Sequence, residues 1–167
     1  MMKALSIAAT AAAALVGAGS RTASRPAPVP VPTALEVPSP ELRDVAVAVY
    51  HPDSSVIYYN PRIMARFGPE LSAFFMAHER GHIALRHTRS AALRVDVAQR
   101  DLLLQLKELE ADCYAARSLA DVRPGAVHAA VKFFSQTGEG SFDSEHPSGA
   151  RRAARILACL PANRGTR

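Results

Sequence analysis

Phe74-Phe75-Met76-Ala77-His78-Glu79-Arg80-Gly81-His82-Ile83-Ala84-Leu85 sets two histidines four residues apart inside an apolar run. In a helix, residues i and i+4 lie on one face, a single turn apart. That is the separation two imidazoles need to grip one Zn²⁺ at about 2.0–2.1 Å each. Glu79 stands beside the pair, where a carboxylate can reach a water at such an ion without ligating it. Gly81 is a poor helix former, so its place in mid-helix implies that a neighbour packs close.

Outward from this segment, Pro69 is expected to open the helix, which then runs to about His87, a helix-end residue. A catalytic zinc takes three protein ligands and keeps one position open. The sixth residue after His82 is Thr88 and His87 falls one short, so a three-histidine arrangement is excluded. The stretch Lys107-Glu108-Leu109-Glu110-Ala111-Asp112 offers the other solution, a carboxylate from a following helix. Glu108 and Asp112 share a face. Glu108 can ligate while Asp112 hydrogen-bonds a ligating histidine and fixes its tautomer. Glu110 is expected in solvent.

The helix carrying these acids is read over about 95–119. Leu102, Leu106, Leu109 and Cys113 recur at spacings of four, three and four, the pattern of a buried stripe. Pro124 opens a third helix containing Val127, Val131 and Phe134. A Gly/Ser-rich loop over 137–145 follows, and a last helix begins near Pro147 and ends by Pro161.

Upstream, residues 44–50 and 55–59 are rich in β-branched and aromatic side chains and are broken by Pro52, Asp53 and Ser54, which predicts a short hairpin. Its second strand is either a plain structural element or an edge that an extended peptide could join. Six of the twelve prolines fall in 21–40, which reads as an extended linker. Lys3, the apolar residues 4–18 and the small residues near 16–20 form a signal-peptide pattern over 1–20, which predicts export. The folded domain is therefore placed at 41–162, with a disordered tail at 163–167. The expected class is mainly α within α+β, the hairpin packing beside the metal-binding helix.

Lys and Arg number 20 against 15 Asp and Glu, for a net charge of +5, but the arginines are scattered and there is no Trp. Nucleic-acid binding needs clustered charge and stacking surfaces, so it is not expected. No later stretch is apolar for the roughly 20 residues a membrane span requires. Cys113 and Cys159 could form a disulfide in an oxidising compartment or remain as two buried thiols.

Three blocks in order, His78-Glu79-Arg80-Gly81-His82, Glu108-Leu109-Glu110-Ala111-Asp112 and His146-Pro147 with Arg152, give the sequence a further character. Together they resemble the HtpX-like and CAAX-prenyl-protease-type gluzincin metallopeptidases over roughly residues 45–160. The resemblance implies a zincin-like domain holding one Zn²⁺ per chain on His78, His82 and Glu108. It implies Glu79 as catalytic base, Asp112 bonded to a ligand, His146 as a late active-site histidine, and Arg152 paired with an acid near the site. The large members carry transmembrane helices, so the chain looks like a small exported branch whose substrates are proteins or peptides rather than membrane species. The implied activity is zinc-dependent endopeptidase. An inactive exported zinc-binding domain with a peptide-binding or chaperone-like role is the alternative.

Overall fold

The computed structural model describes residues 33–51, 53–87 and 96–160. The expected signal peptide at 1–20 and tail at 163–167 lie outside these residues. The described elements are β1 (Leu35–Pro38), β2 (Ala46–Val49), β3 (Val56–Tyr59), α1 (Pro61–Ala84), α2 (Val97–Leu119), α3 (Pro124–Thr137) and α4 (Gly149–Cys159). The chain is thus mainly helical with one small sheet, an α+β arrangement.

The hairpin forms, with β2 antiparallel to β3 in the register Ala46↔Tyr59 to Val49↔Val56. A third strand joins it. β1 pairs parallel with β3, giving the order β1-β3-β2. The linker expected over 21–40 therefore gives way to strand by Leu35, and the folded unit begins before Glu41. Pro38 is tolerated because β1 is an edge strand, where a missing N–H breaks no ladder. The Arg80 guanidinium on α1 pairs with Glu36 and ties this edge to the helix.

Asn60 couples sheet to helix. Its side-chain oxygen accepts from the Arg62 and Ile63 backbone N–H groups, at 2.9 and 3.2 Å, capping α1. Its amide donates to the carbonyls of Pro40 and Leu42 at 3.1 and 2.7 Å. Pro61 occupies the first turn, so α1 starts eight residues before Pro69. Gly68, at φ 76°, kinks it, and Pro69 then opens the second segment, which carries the histidines. The helix stops at Ala84 rather than His87. Arg86 takes a left-handed conformation at φ 55°, which a non-glycine residue adopts at some cost, and the His87 N–H folds back to the His82 carbonyl at 2.9 Å.

The helices α1 to α4 enclose the larger core around Phe74, Phe134 and Ile156, while Ile57, Ala46, Met64 and Ile83 join the sheet to α1. A disulfide links Cys113 on α2 to Cys159 on α4. The leucine stripe is only half realised, since Cys113 is buried but Leu102 and Leu106 are 54% and 46% exposed. Length accounts for Leu102. α2 has 23 residues and α4 has 11, or about 35 and 17 Å at 1.5 Å per residue. Hydrogen bonds join α4 to α2 between Gln105 and Arg117; Leu102 lies in the turns that project beyond them, whereas Leu106 is exposed within that span. No helix among the described residues is long and apolar enough to cross a membrane.

Candidate metal centre

α1 and α2 approach closely at Gly81. A Cβ there would stand 3.1 Å from both Ala111 Cα and Tyr114 Cβ, so the glycine is where α2 crosses α1. One turn away along α2, on the face turned to α1, is Glu108, and one residue past Ala111 is Asp112. The crossing presents both acids to the histidines.

Three side chains converge as a result, the two imidazoles facing different oxygens of the Glu108 carboxylate. His78 Nε2 lies 3.1 Å from Glu108 Oε2, His82 Nε2 lies 3.3 Å from Glu108 Oε1, and the two Nε2 atoms are 3.0 Å apart. A tetrahedral ion with bonds of about 2.0–2.1 Å separates its ligands by about 3.3–3.4 Å. The individual spacings are of that size, and two imidazoles and one carboxylate are a donor set suited to zinc. His78, His82 and Glu108 could hold a metal ion.

His78 is fixed from behind. Its Nδ1 donates to Asp112 Oδ1 at 2.9 Å. Asp112 is fully buried and accepts from Arg152 Nε at 2.8 Å and from Arg152 Nη2 at 2.7 Å, a two-pronged pair. The Arg152 guanidinium also lies over the Phe134 ring, 4.1 Å from its centroid. Burial works against the Asp112 charge, but Arg152 and His78 outweigh it and hold the carboxyl below the usual range. Burial likewise disfavours a charged His78, yet Glu108 and Asp112 reverse the balance and raise it to about 10.

Glu79, half-buried, lines the same cleft. Burial raises its pKa, against the pull of His78 and His82 and a hydrogen bond from the Ala48 backbone. That bond shows β2 turning a backbone N–H toward the site. β3, by contrast, is hydrogen-bonded on both sides and has no edge to offer. The strand-addition reading therefore fails for β3, and the edge beside the site is β2.

The loop between α3 and α4 supplies His146. Its Nδ1 is bonded to Asp143 Oδ1 at 2.8 Å, and its Nε2 reaches to 3.9 Å from Glu108 Oε2. Asp143 also accepts the backbone N–H groups of Glu145 and His146 at 2.8 and 3.0 Å. Asp143, absent from the sequence reading, thus aims His146 at the cleft; the signal was an acid three residues upstream, in reach for a local turn. The cleft has a volume of about 500 Å³ and is walled by β2, α1, α2 and this loop, with Phe67, Phe75 and Phe133 lining it as well.

Two further residues beside the site have partners. His87 is not among the converging ligand atoms, but its Nδ1 lies 3.1 Å from His82 Nδ1. Glu110, expected in solvent, is 56% exposed at its side chain yet sits 3.1 Å from His87 Nε2. Burial, then the nearby His82, lowers His87 to about 4. His51 and His128 are exposed.

No family model, no curated protein and no solved structure matches this chain.

Proposed function

We propose that the chain is an exported zinc endopeptidase of the HtpX-like gluzincin type. The observation that carries this reading is the convergence of His78 Nε2, His82 Nε2 and Glu108 within 3.0–3.3 Å of one another, with Glu79 and His146 lining the same cleft. A structural zinc site closes its coordination with four protein ligands. Three converging ligands beside a base and a loop histidine favour hydrolysis over the inactive-domain alternative.

Zinc held there would act as a Lewis acid and make water a nucleophile near neutral pH. The protein's own residues do the rest. An extended peptide pairs with the outward backbone groups of β2, which lays its carbonyl across the cleft. Glu79 accepts the proton of the attacking water and passes it to the departing amine. His146, held by Asp143, donates from Nε2 to the oxygen on which negative charge develops. Asp112 and Arg152 keep the His78 ring oriented throughout. The disulfide between Cys113 and Cys159 agrees with an oxidising compartment and so with export.

Hydrolysis of casein or a peptide library tests the reading. Cleavage that is abolished by a chelator, restored by zinc and lost in Glu79→Gln is expected. A purified chain inert toward every peptide, or a Glu79→Gln variant with full activity, overturns it.

A further inference from the structure

His87 lies outside the three sequence blocks, yet its position is closely specified. Arg86 takes the left-handed conformation at φ 55°, and this turns the chain so that His87 folds back under the last turn of α1. Its side chain is only 7% exposed. Both ring nitrogens are engaged, Nδ1 with His82 Nδ1 at 3.1 Å and Nε2 with Glu110 Oε2 at 3.1 Å.

The proton positions along this chain follow from donor and acceptor chemistry. The Glu110 carboxylate accepts, so the proton between it and His87 sits on His87 Nε2. A metal held on His82 Nε2 leaves that ring's proton on Nδ1, so His87 Nδ1, 3.1 Å away, is the acceptor and carries a lone pair. His82 must donate to that lone pair from its own Nδ1–H. What remains on His82 is a bare Nε2, the nitrogen that faces His78 and Glu108. The alternative tautomer of His82 would bring two lone pairs together at 3.1 Å and turn an N–H toward the ion.

We infer that His87 is a positioning residue for the metal centre, holding His82 in its metal-competent tautomer and orientation and relaying that hold to Glu110. The inference rests on the zinc reading above. The two ligating histidines are then supported by different chemistry. His78 is backed by the buried Asp112–Arg152 pair. His82 is backed by a neutral ring, which orients it without adding another buried negative charge beside Glu108 and Asp112. The balancing carboxylate, Glu110, stays at the surface. The strain accepted at Arg86 falls where a fixed ring is needed.

The test compares zinc affinity, by competition with a chromophoric chelator, and the visible spectrum of the cobalt-substituted protein. The variants are His87→Ala, His87→Phe and His87→Gln. Phe keeps the bulk without an acceptor, whereas Gln restores an oxygen acceptor and an N–H donor. Loss of an outer partner of a metal-bound histidine costs about 10–100-fold in affinity. That loss and an altered cobalt spectrum are expected for Ala and Phe, with Gln recovering most of both, while the thermal midpoint of the metal-free protein stays close to wild type for Phe and Gln. If the Ala variant does not fold, the Phe and Gln pair decides. Equal affinity and equal spectra in wild type and Phe overturn the assignment, as does a Gln variant no better than Phe. A wild type that binds no zinc overturns the metal reading itself, a result distinct from either.

Discussion

Gly81 on α1 and Ala111 on α2 meet so closely that a Cβ on the glycine would stand 3.1 Å from the alanine Cα and 3.2 Å from its carbonyl oxygen. The obstacle is backbone, which yields only if the helices separate. Glu108 and Asp112 flank Ala111, so separation draws both acids from the histidines. Gly81→Ala removes a helix-weakening residue, worth about 1 kcal/mol in its favour, but overpacks the crossing at about 1–3 kcal/mol. The variant should bind zinc more weakly than wild type at equal or lower thermal stability. Calorimetric titration with zinc checks this, and unchanged affinity would show that the crossing does not set the site.

The buried pair of Asp112 and Arg152 makes a pH-dependent contribution. The native carboxyl titrates below its ordinary value, so its stabilisation is complete above the unfolded pKa of about 3.9 and is lost as pH falls through the native value. Breaking one side of a buried pair costs about 3–5 kcal/mol. Asp112→Asn should therefore melt well below wild type at pH 7, with the gap narrowing below about pH 4. A gap independent of pH between 7 and 3 contradicts the pairing.

His146 should separate catalysis from metal binding. Removal of a donor to the developing oxyanion costs about 10²–10³ in kcat. His146→Ala is expected to show that loss with zinc content intact, and Asp143→Ala a smaller one, because the histidine remains but is no longer aimed. Steady-state kinetics alongside metal analysis distinguishes this from a general loss of structure. Loss of zinc in His146→Ala would instead make the histidine a ligand.

Cys113 directly follows Asp112, and Cys159 lies seven residues, about two turns, beyond Arg152. The bridge therefore clamps the two helices that carry the His78 support. With a sequence separation of 46 between the cysteines, loop-closure entropy gives about 4 kcal/mol of stabilisation. Thiol labelling of the unfolded, unreduced protein should find no free cysteine, and the double Cys→Ala variant should melt lower. Two labelled thiols per chain would refute the bridge.

Much of the candidate site was legible because helical periodicity converts spacing into a shared face. His78 and His82 are one turn apart, as are Glu108 and Asp112, and helix formers surround both pairs. The misreadings arose where structure is non-local. β1 adds to β3 from a proline-rich stretch with no alternating pattern, which reads as an extended linker until its pairing in the sheet is seen. Leu102 continues a helical stripe that periodicity assigns to a core, but periodicity does not reveal how long the packing partners are. His87 is five residues from His82, off the ideal i+4 face. The left-handed turn at Arg86 brings it back, and nothing in the residue type of an arginine announces such a turn.

The count of bound metal tests the centre most directly. Protein purified with zinc, then dialysed and analysed by elemental spectrometry, should hold one equivalent per chain in wild type and in Glu79→Gln. His82→Ala and Glu108→Ala should hold far less, and Glu110→Ala more than Glu108→Ala. Wild type with no bound zinc, or Glu108→Ala with a full equivalent, would contradict the account.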